Sequence, residues 1–171
     1  MKVIIAEKPS VAQQIAAVVG ATARKDGYIE GGGYAVTWAF GHLVGPAMPE
    51  AYGIEGFKRE NLPILPETFV LEPRRVKSGK EYKPDPGAVK QLAVLKELFS
   101  RTERIVVATD AGREGELIFR FIYHYLDCKT PFDRLWISSL TERAIREGLA
   151  NIRPGSEYDD LYLSARARCE A

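Results

Sequence analysis

Apolar residues follow two rhythms along the chain. Short runs at Val3–Ala6, Tyr34–Phe40, Phe69–Leu71, Ile105–Val107 and Leu135–Ile137 have the length and β-branched or aromatic content of strands. Between them the apolar positions recur at helical spacing. Pro9, preset for a first helical turn, opens a segment with Val11, Ile15, Val18 and Val19 as its stripe and Gly20 as its stop. A second helix over Ala88–Phe99 turns Val89, Leu92, Val94, Leu95 and Leu98 inward, and a third from Arg113 to about Tyr125 carries Leu117, Ile118, Phe121, Ile122 and Tyr125. Thr141 starts a fourth with Ala144, Ile145 and Leu149 inward, and Ser156 a last one through Leu161, Tyr162 and Ala165. The unbroken run Ile105–Val107 suits a strand covered on both faces, so the alternation predicts an α/β fold with a mainly parallel central sheet flanked by helices. The helix over Ala88–Phe99 then forms a right-handed crossover into Ile105.

The remaining segments lack either rhythm. Ala21–Gly33 predicts a turn or hairpin before Tyr34–Phe40, in which Tyr34, Val36 and Trp38 share one face and Ala35, Thr37 and Ala39 the other. Pro46–Pro66, with six prolines and glycines, predicts an irregular surface connection anchored by Tyr52 and Phe57. Arg74, Arg75, Lys77, Lys80 and Lys83 form the most positive run, readable as a phosphate-contacting rim or a solvated mobile loop. With no regularly interleaved aromatic, the loop is favoured. Trp136 is expected in the core. No glycine or proline follows Ala167, so the last helix is expected to run on into a further domain, dividing the chain into 1–153 and 154–171.

Composition changes this picture little. A chain of 171 residues, 46% hydrophobic and 27% charged, suits one globular domain. No apolar stretch is long enough to span a bilayer and none resembles a cleavable leader, which predicts a cytoplasmic protein without a membrane partner. Cys128 and Cys169 match no metal-ligand spacing. A net charge of +1 gives no general attraction to nucleic acid, so any such contact must come from local clusters.

Candidate chemistry gathers at two strand ends. Asp110 follows the run Ile105–Val107, Gly112 and Gly115 let the backbone turn and approach a ligand, and Glu114 opens the next helix. In open α/β sheets the crevice beyond the strands' carboxyl ends is the usual ligand site, where Asp110 and Glu114 could converge on one hard cation. Equally, Asp110 could cap the helix and Glu114 favour its positive end. Val3–Ala6 ends in Glu7-Lys8-Pro9. If the two strands are neighbours, Glu7 joins the acids and Lys8 can balance phosphate charge; otherwise Glu7 and Lys8 are an exposed helix-entry pair.

VIIAEKPSVAQQIA, AFGHLVG and VVATDAGREGELIF, in that order, resemble the Toprim domain of type IA DNA topoisomerases, with topoisomerase III as the nearest branch. The resemblance covers nearly the whole chain. It implies a Rossmann-like Toprim fold that binds Mg²⁺ and assists a tyrosine of another domain in cleaving and rejoining single-stranded DNA through a 5′-phosphotyrosine link, without ATP. Glu7 matches the glutamate acting on the leaving oxygen, and Lys8 the phosphate-contacting lysine. Asp110 and Glu114 match the outer acids of Asp-x-Asp-x-Glu, so the implied metal set is Glu7, Asp110 and Glu114. Arg113 is implied to contact phosphate or brace a carboxylate. His42 and Arg168 match residues near DNA, although His42 could instead satisfy loop carbonyls. Gly112 stands where many relatives carry the middle aspartate, which predicts one weakly held ion; Glu116, two helical positions from Glu114, is a poor replacement. The partners implied are single-stranded DNA and the remaining domains of the same chain, without which cleavage is not expected. A free-standing Toprim nuclease or primase-like enzyme, and a non-catalytic phosphate-binding module, are the alternatives.

Overall fold

The computed structural model describes residues 1–56, 58–66 and 68–171. Its strands and helices are β1 (Lys2–Ala6), α1 (Pro9–Val19), β2 (Ala23–Lys25), β3 (Tyr28–Gly31), β4 (Tyr34–Trp38), β5 (Val44–Pro46), β6 (Leu71–Pro73), β7 (Arg75–Ser78), β8 (Glu81–Pro84), α2 (Pro86–Ser100), β9 (Ile105–Ala108), α3 (Arg113–Tyr125), β10 (Phe132–Arg134), α4 (Glu142–Ala150), β11 (Arg153–Pro154) and α5 (Asp159–Glu170). The principal sheet has seven strands in the order β11-β10-β9-β1-β4-β3-β2. Its centre is parallel, with β1 between β4 and β9 and β10 beyond β9, while β2, β3 and β11 add antiparallel margins. This is a Rossmann-like α/β architecture.

Two apolar layers explain the unbroken strand runs. Val3 and Ile5 of β1, Ala35 of β4 and Ile105 and Val107 of β9 turn toward α2, α3 and α5. Ile4, Ala6, Val36, Val106 and Ala108 turn to the opposite face, toward α1 and α4. Side chains alternate across a pleated strand, so a strand covered on both faces is apolar at every position. Gln91 fastens α2 across this layer, donating from Nε2 to Gly27 O, Thr37 Oγ1 and Trp38 O at 3.1, 3.1 and 2.8 Å. Thr141 caps α4 by accepting the Ala144 N–H at 3.2 Å.

Several expectations shift. The fully buried positions of α1 are Ala12, Ile15 and Ala16, with Val11, Val18 and Val19 flanking them. α2 begins two residues earlier, and Val89 is exposed because the buried face of the helix runs through Ala88, Gln91, Leu92 and Leu95. The strand expected at Leu135–Ile137 is β10, three residues earlier: Arg134 pairs with Val107, and Leu135 N–H donates to Val107 O. The strand expected at Phe69–Leu71 is β6, which pairs with β5 in a separate ribbon closing the long connection. Within that connection Tyr52 acts as an anchor, its hydroxyl accepting the Val70 N–H at 2.8 Å; Phe57 lies outside the described residues. Trp136 is not core. It is 41% exposed and stacks on Tyr158, with ring centroids 5.0 Å apart. The basic run is not a loose loop but the hairpin β7–β8. Among the described residues no helix is long and apolar enough to cross a membrane.

Candidate functional site

Sheet register brings the candidate residues together. Ala6 of β1 lies opposite Ala108 of β9 on one side and Trp38 of β4 on the other, so the chain leaves three adjacent parallel strands at one edge. Glu7 follows the first, Asp110 the second, and the Gly41-His42 turn the third. The β4 exit is held to the β1 exit by Ala39 N–H donating to Ala6 O at 2.9 Å and Gly41 N–H to Glu7 O at 3.3 Å.

Glu7 is 8% exposed, and its Oε1 accepts the backbone N–H of Asp110 at 3.3 Å. Burial pushes the Glu7 carboxyl above the ordinary glutamate range. The adjoining Asp110 carboxylate adds to this, while the Asp110 N–H and the Lys8 charge oppose it. A partly desolvated carboxyl facing a second carboxylate has an unmet demand for positive charge. Lys8, exposed in extended backbone at the entry to α1, answers only part of it.

Glu114, in the first turn of α3, turns to His42, and its Oε1 is hydrogen-bonded to His42 Nε2. The structure therefore unites Glu7 with Asp110 and Glu114 with His42. Among the described residues no three His, Cys, Asp or Glu side chains gather at metal-binding spacing. The donor chemistry at Glu7 and Asp110 fits a hard cation, with two carboxylates and no sulfur, and such an ion needs oxygens from elsewhere to fill its shell. Arg113, the first residue of α3, is exposed, and Arg168 is exposed in the last turn of α5. The next residue, Cys169, lines a cleft of about 920 Å³ whose other walls include His42, Val44, Arg75, Tyr82 and Phe121.

Sequence reasoning missed what holds the Asp110 loop. Arg134, at the end of β10, is fully buried. Its Nη1 donates to Thr109 O at 2.7 Å and Val107 O at 3.1 Å, and its Nη2 to Asp110 O at 2.8 Å. Its Nε meets Glu116 Oε2 at 2.9 Å, while Arg120 Nε meets Glu116 Oε1 at 2.9 Å. Glu116 is thus a fully buried counter-ion between two guanidinium groups, unavailable to a metal. Burial pulls the Arg134 pKa down and the Glu116 charge works against that. The legible signal was an arginine set between Phe132 and Leu135, since charges within apolar runs are buried only when paired.

Gly115 acts differently from expectation. Its Cα rests on the backbone of Asp110 itself, where a Cβ would lie 2.0 Å from Asp110 O, so its close approach is to the loop and not to a ligand. Thr109 Oγ1 completes the clamp by donating to Gly115 O at 2.8 Å. Gly112 provides the turn, with φ 157° and ψ 177°, a region that side-chain-bearing residues avoid.

Residues 2–140 match the family model of the Toprim domain. The chain is 48% identical to DNA topoisomerase 3 of Bacillus cereus over 172 aligned positions and 47% identical to that of Bacillus subtilis over 171. It is 44% identical to that of Shouchella clausii. Each alignment covers 99% of the chain, which spans only 22% of the length of these curated relatives. The solved structure of full-length topoisomerase I from Thermotoga maritima matches with a TM-score of 0.52 and 26% identity, covering 89% of this chain and 21% of that one.

Proposed function

The chain belongs to the Toprim family, and on that premise we propose that it is the Mg²⁺-binding domain of a type IA, topoisomerase III-like DNA topoisomerase. In the complete enzyme it supports ATP-independent cleavage, passage and rejoining of single-stranded DNA by a tyrosine on another domain. The observation that carries the reading is the meeting of Glu7 and Asp110 at the carboxyl edge of adjacent strands, with Glu7 already short of positive charge. Glu7 and Asp110 would hold the ion, with Glu114 as the third carboxylate once His42 releases it. Bound Mg²⁺ supplies charge neutralisation at a DNA phosphate, the largest need in phosphoryl chemistry.

The chain's own residues have separate tasks. Glu7 manages the proton on the leaving 3′ oxygen during cleavage and again on rejoining. Lys8, exposed next to it, faces the scissile phosphate, and Arg113 offers a second cation from the start of α3. His42 orients Glu114 and lies on the strand's path, and Arg168 reaches it from α5. From α5 the chain leads toward the domains that contribute the tyrosine, and the setting is the DNA-containing cytoplasm.

The test is to incubate the purified 171-residue chain with Mg²⁺ and negatively supercoiled plasmid. The reading predicts neither relaxation nor nicking. Metal-dependent nicking, lost in Asp110→Ala, would replace it with a free-standing nuclease.

A further inference from the structure

The hairpin β7–β8 has no structural duty that explains its composition. All eight of its strand residues are exposed, and it pairs Arg75 with Pro84, Val76 with Lys83, Lys77 with Tyr82 and Ser78 with Glu81. Directly opposed residues of an antiparallel pair share a face. One face therefore presents Arg75, Lys77 and Tyr82 together, a juxtaposition invisible in the linear order, where Lys77 and Tyr82 are separated by the turn at Gly79-Lys80. The Tyr82 side chain is 64% exposed. Among the described residues the lysines in ion pairs are Lys58, Lys90 and Lys129, so Lys77, Lys80 and Lys83 keep their charge for a partner.

The base of the hairpin is fixed where the edge chemistry begins. Arg74 N–H donates to Leu43 O at 2.8 Å, Arg74 Nη1 to Phe40 O at 3.0 Å, and Arg74 Nε to Asp85 Oδ2 at 2.7 Å. Arg74 is thus committed to holding the hairpin against the turn that carries His42. Tyr82 and Arg75 line the same cleft of about 920 Å³ as His42. Glu50, Glu72 and Glu81 line that cleft as well and Arg75 is paired with Glu72 at 3.2 Å, so the cation left for a strand beside the exposed ring is Lys77, opposite Tyr82 in the hairpin.

We propose that β7–β8 is a docking arm for single-stranded nucleic acid, with one base stacked on Tyr82 and the adjoining phosphates set against Lys77 and Lys80. An exposed ring interleaved with unpaired lysines is the combination that holds unpaired strands, because every base offers a π-face and every linkage a charge. Paired bases in a duplex offer no free face to Tyr82, and an acidic polypeptide offers nothing to stack. The inference rests on the reading above for its substrate class and adds a contact remote from the acids.

The test measures binding of fluorescein-labelled oligothymidylate, and of an abasic oligonucleotide of equal length, to the chain in EDTA. Tyr82→Ala is expected to weaken oligothymidylate binding by about 5- to 100-fold, with Tyr82→Phe restoring it and abasic binding unchanged. Lys77→Ala/Lys80→Ala is expected to weaken both ligands and to reduce the slope of log affinity against log salt by about 1.4, two single-strand phosphate contacts. All three residues are solvent-facing, so thermal unfolding of the variants should match the unaltered chain. Unchanged affinity in Tyr82→Ala, equal losses on the abasic strand, or no binding of either strand by the unaltered chain would overturn the arm. Working in EDTA separates this outcome from the metal reading, which Mn²⁺ binding at Glu7 and Asp110 judges independently.

Discussion

Replacing Glu116 by glutamine should unfold the site without touching it. The carboxylate stands between Arg134 and Arg120, taking one guanidinium at each oxygen at 2.9 Å, and both it and Arg134 are fully buried. The amide of glutamine keeps one acceptor but sets an NH₂ donor against the other guanidinium, leaving a buried cation without a counter-charge. Removing one partner of a buried pair costs about 3–5 kcal/mol. Arg120 keeps Asp159 Oδ1 at 2.8 Å and Gly155 O at 3.0 Å, so the cost falls chiefly on Arg134. With a urea m-value of about 2 kcal/mol/M, the midpoint should fall by about 2 M at constant m. Glu116→Gln/Arg134→Met removes the stranded charge, so its loss should be smaller than the sum of the single losses by about 1 kcal/mol or more. A midpoint shift below about 0.5 M for Glu116→Gln, or strict additivity in the cycle, would refute the claim that this pair supports the Asp110 loop.

Three further outcomes follow from local geometry and charge. Gly115→Ala places a Cβ 2.0 Å from Asp110 O, so it should cost about 1–3 kcal/mol and displace the Asp110 and Glu7 amide resonances. Gly45→Ala, where the added carbon meets nothing within 4 Å, should change stability by less than about 0.5 kcal/mol in the same denaturation assay. His124 packs between Tyr123 and Tyr162; burial, then the charges of Arg120, Arg166 and Lys129, hold its pKa below the ordinary histidine value. The folded state then binds fewer protons than the unfolded state in that window, so stability is complete above the ordinary histidine pKa and is lost as pH falls through the folded value. Melting temperature followed against pH should show this slope in the chain and a flatter profile in His124→Phe.

The parts of the fold legible in the sequence are those fixed by burial. Val3–Ala6 and Ile105–Ala108 are apolar at every position because helices cover both faces of β1 and β9, and the stop at Gly20 is a left-handed cap. The same logic placed Glu7 and Asp110 beyond the ends of those strands; their neighbourhood was a conditional inference that the register Ala6 to Ala108 supplies. Less legible were features set by contacts distant in sequence. The partners of Arg134, Glu116 and the carbonyls of Val107, Thr109 and Asp110, are distant in sequence, and β10 lies three residues before the expected strand because Leu135–Ile137 is the more apolar run while Phe132–Arg134 carries the pairing. Trp136, expected in the core, is instead 41% exposed, stacked on Tyr158 and with the Arg134 guanidinium over its ring at 5.1 Å. The hairpin β7–β8 escaped notice because its lysines masked the alternation, and only its register sets Tyr82 beside Lys77.

The central claim is that the edge where Glu7 meets Asp110 binds a divalent cation although Gly112 stands between Asp110 and Glu114. It is tested most directly by titrating the chain with Mn²⁺ and following paramagnetic broadening of assigned amide resonances, with Asp110→Ala and Mg²⁺ competition as controls. Broadening centred on Glu7 and on Asp110 to Glu114, abolished by Asp110→Ala and reversed by Mg²⁺, is the predicted result. Sharp resonances there while others broaden would contradict the claim.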